Sequence, residues 1–177
     1  MPAPIFERLK NTLFLRGWAF LKVPLINMMG PRVRELNDDR CAVLIPLRYW
    51  TKNHFNSLYI SAQITGADLS AGLLAMHHIR KKGNALSLIF KDLRADFKKR
   101  PDSDTLFTCT EGREIKALVA QALLSGERTQ KTVTIIASCP KKYGNEPVAE
   151  FQLTLSLKKT QKTAKKAPVR KRLAKKD

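Results

Sequence analysis

Apolar residues recur at three- and four-residue spacing from Ile5 through Phe6, Leu9, Leu13 and Gly17 to Phe20 and Leu21. That period predicts an amphipathic helix over residues 5–29, kinked or ended at Pro24. Trp18 and the scattered cations would suit a membrane surface, but the apolar face is expected to cover the chain's own core. Gly30-Pro31 breaks the pattern. Residues 32–37 and 40–47 read as a hairpin turning at Asp38-Asp39. A helix is predicted over 57–80, stopped near Gly83 and richer in apolar and small residues than a surface helix. Strands follow near 85–99, 104–111, 130–139 and 147–157, with a short helix over 113–124 ending at Gly126. The last strand alternates strictly: Ala149, Phe151, Leu153, Leu155 and Leu157 on one face, Glu150, Gln152, Thr154 and Ser156 on the other.

One long apolar helix among antiparallel strands is an α+β layout. The central helix carries Ser61, Ala62, Thr65, Gly66, Ala67, Ser70, Ala71 and Gly72. Small side chains let a curved sheet close around a helix, which is the hotdog arrangement. The expected fold is thus a sheet of five to six strands wrapped around a long central helix, with an extra N-terminal helix. Residues 1–31 form that helix, 32–157 the hotdog domain, and 158–177 a disordered basic tail with nothing apolar enough to pack.

Charge changes the picture less than its size suggests. The 177 residues carry a formal +18, but ten of the 33 Lys+Arg and only one acid lie in 158–177. Half of the excess therefore belongs to the tail. Weak, non-specific contact with nucleic acid or an anionic membrane is open to it, as is a purely solubilising role. No aromatic residue follows Phe151, so base stacking by the tail is excluded. Cys41, Cys109 and Cys139 have no ligand spacing and make no closed disulfide set, which fits a reducing cytoplasm. No metal or cofactor motif occurs. His77 and His78 are adjacent on a helix and diverge by about 100°, a poor geometry for one metal. No uncharged apolar run is long enough to cross a membrane.

The candidate chemistry lies in one segment. From Phe55 to Ile79, Asp68 is the only acid or strong base. A carboxylate inside a buried helix needs a partner or a proton. Its neighbours one turn away are Ile64, Thr65, Ala71 and Gly72. Only the Thr65 hydroxyl can offer a hydrogen bond, so a charged partner has to come from another element or another chain. Either a structural hydrogen bond or a functional site accounts for such a residue, and a functional site is preferred. Upstream stands Asn53-His54-Phe55-Asn56-Ser57-Leu58-Tyr59-Ile60-Ser61, where Asn56 or Ser57 can cap the helix. Free amides near Leu58–Ser61 would then offer donors to a developing oxyanion.

The segment Asn53–Gly72 resembles the signature of hotdog-fold acyl-CoA thioesterases of the PaaI-like kind. In that signature an Asn is followed by a Gly, a His-Gly-Gly and then an acid along the helix. Asn53 takes the Asn place and Asp68 the acid place, while Asn56 stands for the Gly, Tyr59 for the His, and Ile60-Ser61 for the Gly-Gly. It is more similar to an uncharacterised branch of the superfamily that reads Asn-His-x-x-Ser-x-Tyr/His. The resemblance implies an acyl-CoA thioesterase that needs no cofactor beyond the CoA of its substrate. Asp68 would act as base or nucleophile and Asn53 beside it, with Asn56, Tyr59, Ile60, Ser61 and Thr65 lining the substrate site. The alternative is a hotdog protein that binds an acyl ligand without hydrolysing it. Lys52, Arg94 and Lys98 are the cations considered for CoA phosphates. Ile60 and Asp68 are eight residues apart, about 12 Å along a helix, too far to serve one carbonyl. The resemblance therefore implies a homodimer or tetramer in which two antiparallel helices complete each site.

Overall fold

The computed structural model describes residues 4–83 and 85–160. The predicted first helix is two, α1 (Ile5–Lys22) and α2 (Pro24–Met29), because Pro24 opens α2 as its first residue. The hairpin is β1 (Arg32–Leu36) and β2 (Cys41–Ile45), joined through Asp38-Asp39. Then come the central helix α3 (Ile60–Lys81), β3 (Leu86–Phe97), β4 (Thr105–Cys109) and α4 (Gly112–Ser125). β5 (Thr129–Ser138), the four-residue α5 (Pro140–Tyr143) and β6 (Pro147–Lys159) complete the chain. The turn α5 was not anticipated, since a single Pro-initiated turn has no periodicity to read. β6 runs two residues beyond the expected boundary, so Lys158 and Lys159 pair with Ser87 and Leu86 instead of belonging to the tail. The rest of that predicted tail, from 161 on, lies outside the described residues.

The six strands form one antiparallel sheet in the order β1-β2-β4-β5-β6-β3. It curves around α3 in the hotdog arrangement. Ala62, Ala67, Ala71, Leu74, Ala75 and Ile79 of α3 are buried against it, and the inner residues of β6, from Ala149 to Leu157, are almost wholly buried. The closest approach is at Gly66, where a side-chain carbon would overlap the ring of Phe107 on β4. Phe107 also packs against Phe151, with ring centroids 6.0 Å apart. Glycine at 66 lets the sheet touch the helix backbone there.

The C-terminal end of α3 is tied to the β1–β2 turn. His77 Nε2 lies 2.8 Å from the Asp38 carboxylate, His78 Nε2 lies 3.0 Å from the Asp38 carbonyl, and Lys81 pairs with the same carboxylate. The two histidines therefore serve a turn, and the described residues contain no group of three or more His, Cys, Asp or Glu side chains arranged to hold a metal ion. The two sheet edges differ. The backbone N–H of Val33 on β1 donates to the Thr12 hydroxyl of α1 at 3.0 Å, and that hydroxyl lies 3.4 Å from the Val33 carbonyl. β3, twelve residues long, pairs only with β6 among the described residues.

α1 departs from expectation in orientation. It rests on the domain through Thr12, Leu15 and Ala19, while Ile5, Phe6, Leu9, Leu13, Phe20 and Leu21 point to solvent. Periodicity identifies an apolar stripe without saying which way it turns. Among the described residues no helix is long and apolar enough to cross a membrane.

Gly66→Ala should destabilise the protein by about 1–3 kcal/mol, the range for an overpacked core. Phe107→Leu in the same chain should recover part of that loss, read as the urea midpoint of the single and double variants.

Candidate active site

The loop before α3 is built by side chains that replace secondary structure. Thr51 is buried; its hydroxyl donates to the Pro46 carbonyl at 2.7 Å and accepts from Arg48 N at 2.8 Å. Asn53 Oδ1 accepts from Phe55 N at 2.9 Å and from Ser57 N at 3.1 Å, and Asn53 N donates to the Ser57 carbonyl at 2.8 Å. Asn53 thus holds a turn, with Asn56 at its corner in the left-handed region, φ 56°. Asparagine tolerates that region better than any other non-glycine residue except its close relatives. Asn56, which stands where the resembled signature has Gly, thus holds a backbone conformation that glycine adopts freely.

Neither Asn56 nor Ser57 caps the helix. Tyr59 is the N-cap, in extended conformation and without a side-chain hydrogen bond. The amide of Leu58 donates to Pro101 O and that of Tyr59 to Thr51 O, both at 2.8 Å. This moves the free donors inward from the expected Leu58–Ser61. The amides of Ile60, Ser61 and Ala62 are the first-turn donors that a helix leaves without internal acceptors. Around them Asn53, Phe55, Tyr59, Gln63, Phe97 and Arg100 line an open cavity of about 370 Å³.

Gln63, Phe97, Lys99, Arg100 and Pro101 of its lining escaped the sequence reading. Gln63 is buried; its Nε2 donates to Leu58 O at 3.0 Å, while its Oε1 has no partner among the described residues. Arg100 lies over the Phe55 ring at 5.3 Å. A Gln in a first helical turn and an Arg in a loop look ordinary until the fold brings them together. Of the cations considered beforehand, Lys52 bonds Asn56, Lys98 pairs with Glu150, and Arg94 sits with Asp96, Glu150 and Gln152 on the outer sheet face. None of these three lines the cavity.

Asp68 opens elsewhere. It lies with Phe14, Trp18, Leu69, Gly72 and Phe90 on a cleft of about 450 Å³ between α1, α3 and the start of β3. The Thr65 hydroxyl does not reach it and donates instead to the Ser61 carbonyl at 2.8 Å. Asp68 makes no ion pair among the described residues, and its desolvation by these apolar walls raises its pKa to about 6. The structure therefore brings Asn53, Asn56, Tyr59, Ile60 and Ser61 together at the helix start and leaves Asp68 in a separate cleft, with Thr65 between. The intervening face of α3, through Ser61, Ile64, Thr65 and Asp68, is at least partly open to solvent.

Residues 11–157 match the family described as Domain of unknown function (DUF4442). No curated protein matches the chain. Among solved structures, a Pseudomonas aeruginosa protein of unknown function called a probable thioesterase aligns at 20% identity and TM-score 0.69, over 90% of this chain and 99% of that one. A Chlorobaculum tepidum protein of unknown function aligns at 10% identity and TM-score 0.74, over 86% and 97% of the two chains. A thioesterase from Haemophilus influenzae aligns at 13% identity and TM-score 0.60, over 82% and 88%. At these identities the likeness establishes the shared hotdog fold.

The raised pKa of Asp68 has a stability consequence. A carboxyl whose folded pKa lies above its ordinary value stabilises the fold when protonated; that contribution is full below about pH 3.8 and lost as pH rises through about 6. Asp68→Asn should therefore gain on the wild type as pH rises across that window and keep its advantage above it, measured as urea midpoints from acid to neutral pH.

Proposed function

The chain belongs to the DUF4442 family, and from that membership and the site geometry we propose that it is a thioesterase acting on acyl-CoA. The observation that carries this reading is a pair of complementary half-sites on one helix. One is a first turn with free amides; the other is a carboxyl titrating at about 6 in an apolar cleft. Amides fixed at a helix start stabilise charge as it develops on a thioester oxygen. A carboxylate with a raised pKa is a better base near neutral pH than an ordinary aspartate. Asp68 would take a proton from the attacking water, or attack the thioester carbonyl itself.

The half-sites lie about 12 Å apart along α3, so one chain cannot complete the reaction. A second copy would complete it by pairing its open β3 edge with this one and laying its α3 antiparallel across the Ser61–Asp68 face. Each Asp68 would then meet the partner's helix start. An exposed twelve-residue edge bearing Ile89, Phe90, Leu93 and Phe97 supports this contact. Asn53 acts here as a positioning residue, because its oxygen is engaged inside the loop that aims the amides. Lys99 and Arg100 both line the cavity; Lys99 pairs with Glu146, so Arg100 would be the cation to meet a CoA phosphate.

Hydrolysis of an acyl-CoA panel, followed by release of free thiol, tests the reading. Asp68→Asn should abolish turnover, and the wild-type kcat/KM should rise through an inflection near pH 6. Binding without turnover by the wild type would instead make this an acyl-CoA-binding protein. Ile60→Pro deletes one amide at a position where proline is tolerated, since Tyr59 already has φ −63° and ψ 147°. Mixing inactive Asp68→Asn and inactive Ile60→Pro chains should restore part of the activity. No recovery in mixed dimers would overturn the shared site.

A further inference from the structure

α1 is packed with its amphipathicity reversed. At about 100° per residue, Arg8, Thr12, Leu15 and Ala19 fall on one side of the helix, and Leu9, Phe20, Leu13 and Phe6 on a second side about 120° round from it. The first group is the one turned to the domain: Leu15 and Ala19 are buried, Thr12 bonds the Val33 backbone, and Arg8 Nε is buried without a partner among the described residues. The second group faces out, with Phe6 74%, Leu13 70% and Phe20 67% exposed. Leu21 continues this surface along α1, and Leu25 and Met28 extend it onto α2. A continuous apolar face of this kind on a folded domain marks a contact surface.

We propose that the outer face of α1 and α2 docks on an anionic membrane, with the helix lying in the plane of the headgroups. Charge selects this occupant. Lys10 and Arg16 are exposed on either flank of the apolar arc, Lys22 ends the helix, and Glu7 is the only acid on α1. Long cationic side chains at the borders of an apolar face reach outward to phosphate groups while the apolar residues insert. In a two-fold contact with a second copy, the same cations would face one another without acidic partners. α1 carries too many charges to cross the bilayer, and no described helix qualifies as a span. The surface lies on the opposite side of α1 from Leu15, which lines the Asp68 cleft, so docking is compatible with access to that cleft.

The test is co-sedimentation of the full-length protein with vesicles of phosphatidylcholine alone and of phosphatidylcholine containing phosphatidylglycerol. The wild type should pellet with the anionic vesicles only. The double variant Leu13→Ser/Phe20→Ser, altered at two exposed positions and retaining every C-terminal lysine, should bind at least tenfold more weakly while keeping its circular dichroism and its hydrolysis of soluble acyl-CoA. In a second measurement, the single tryptophan introduced by Leu13→Trp in a Trp18→Phe/Trp50→Phe background should be quenched by brominated lipids in those vesicles. Equal binding by wild type and double variant, or absence of quenching, would overturn the proposal by leaving the basic C-terminal residues as the sole attachment. A concentration-dependent oligomer that the double variant dissolves would overturn it by showing that a second copy covers the face.

Discussion

The contact between Gly66 and Phe107 governs how the rest of the molecule is arranged. A sheet can enclose a helix only if the two backbones come closer than ordinary side chains allow, and here the closest point has no side chain on the helix at all. Alanines at 62, 67, 71 and 75 carry the close approach along α3. The face that does not touch the sheet is consequently the one left for Ser61, Thr65 and Asp68. Burial on one side and chemistry on the other follow from a single distribution of side-chain sizes around one helix.

The elements around that contact were legible because their signals are local. Alternation in β6 and the dense small residues of α3 report burial directly, and Asp68 stands out as the one acid in a long stretch without charge. Signals that mean two things were misread. Asn56 and Ser57 have the composition of helix caps, yet they complete the turn that Asn53 holds, and the helix begins three residues later than predicted. α1 shows its stripe plainly, but which side meets the domain depends on where β1 runs, a tertiary fact. Gln63 and Arg100 gain their meaning only when α3, the loop and the segment after β3 converge on one cavity.

Asn56 shows how a residue other than glycine can hold a left-handed corner. The position requires a left-handed backbone more than it requires glycine, and asparagine supplies it while adding an acceptor for Lys52 at 3.0 Å. At Ile60-Ser61 the first-turn amides are in place with side chains around them. The helix start keeps its donors, and those side chains limit the shape of what can approach it.

The unequal sheet edges have a consequence for stoichiometry. Strand pairing between copies needs an open edge on each, and a chain with two such edges can add neighbours without limit. Here the Thr12 hydroxyl sits on the short β1 edge, leaving the β3 side as the long exposed ladder. If copies associate through β3 as proposed, a β1 edge engaged by α1 would give the chain a valence of one, and strand addition would end at a closed pair instead of propagating into a fibre.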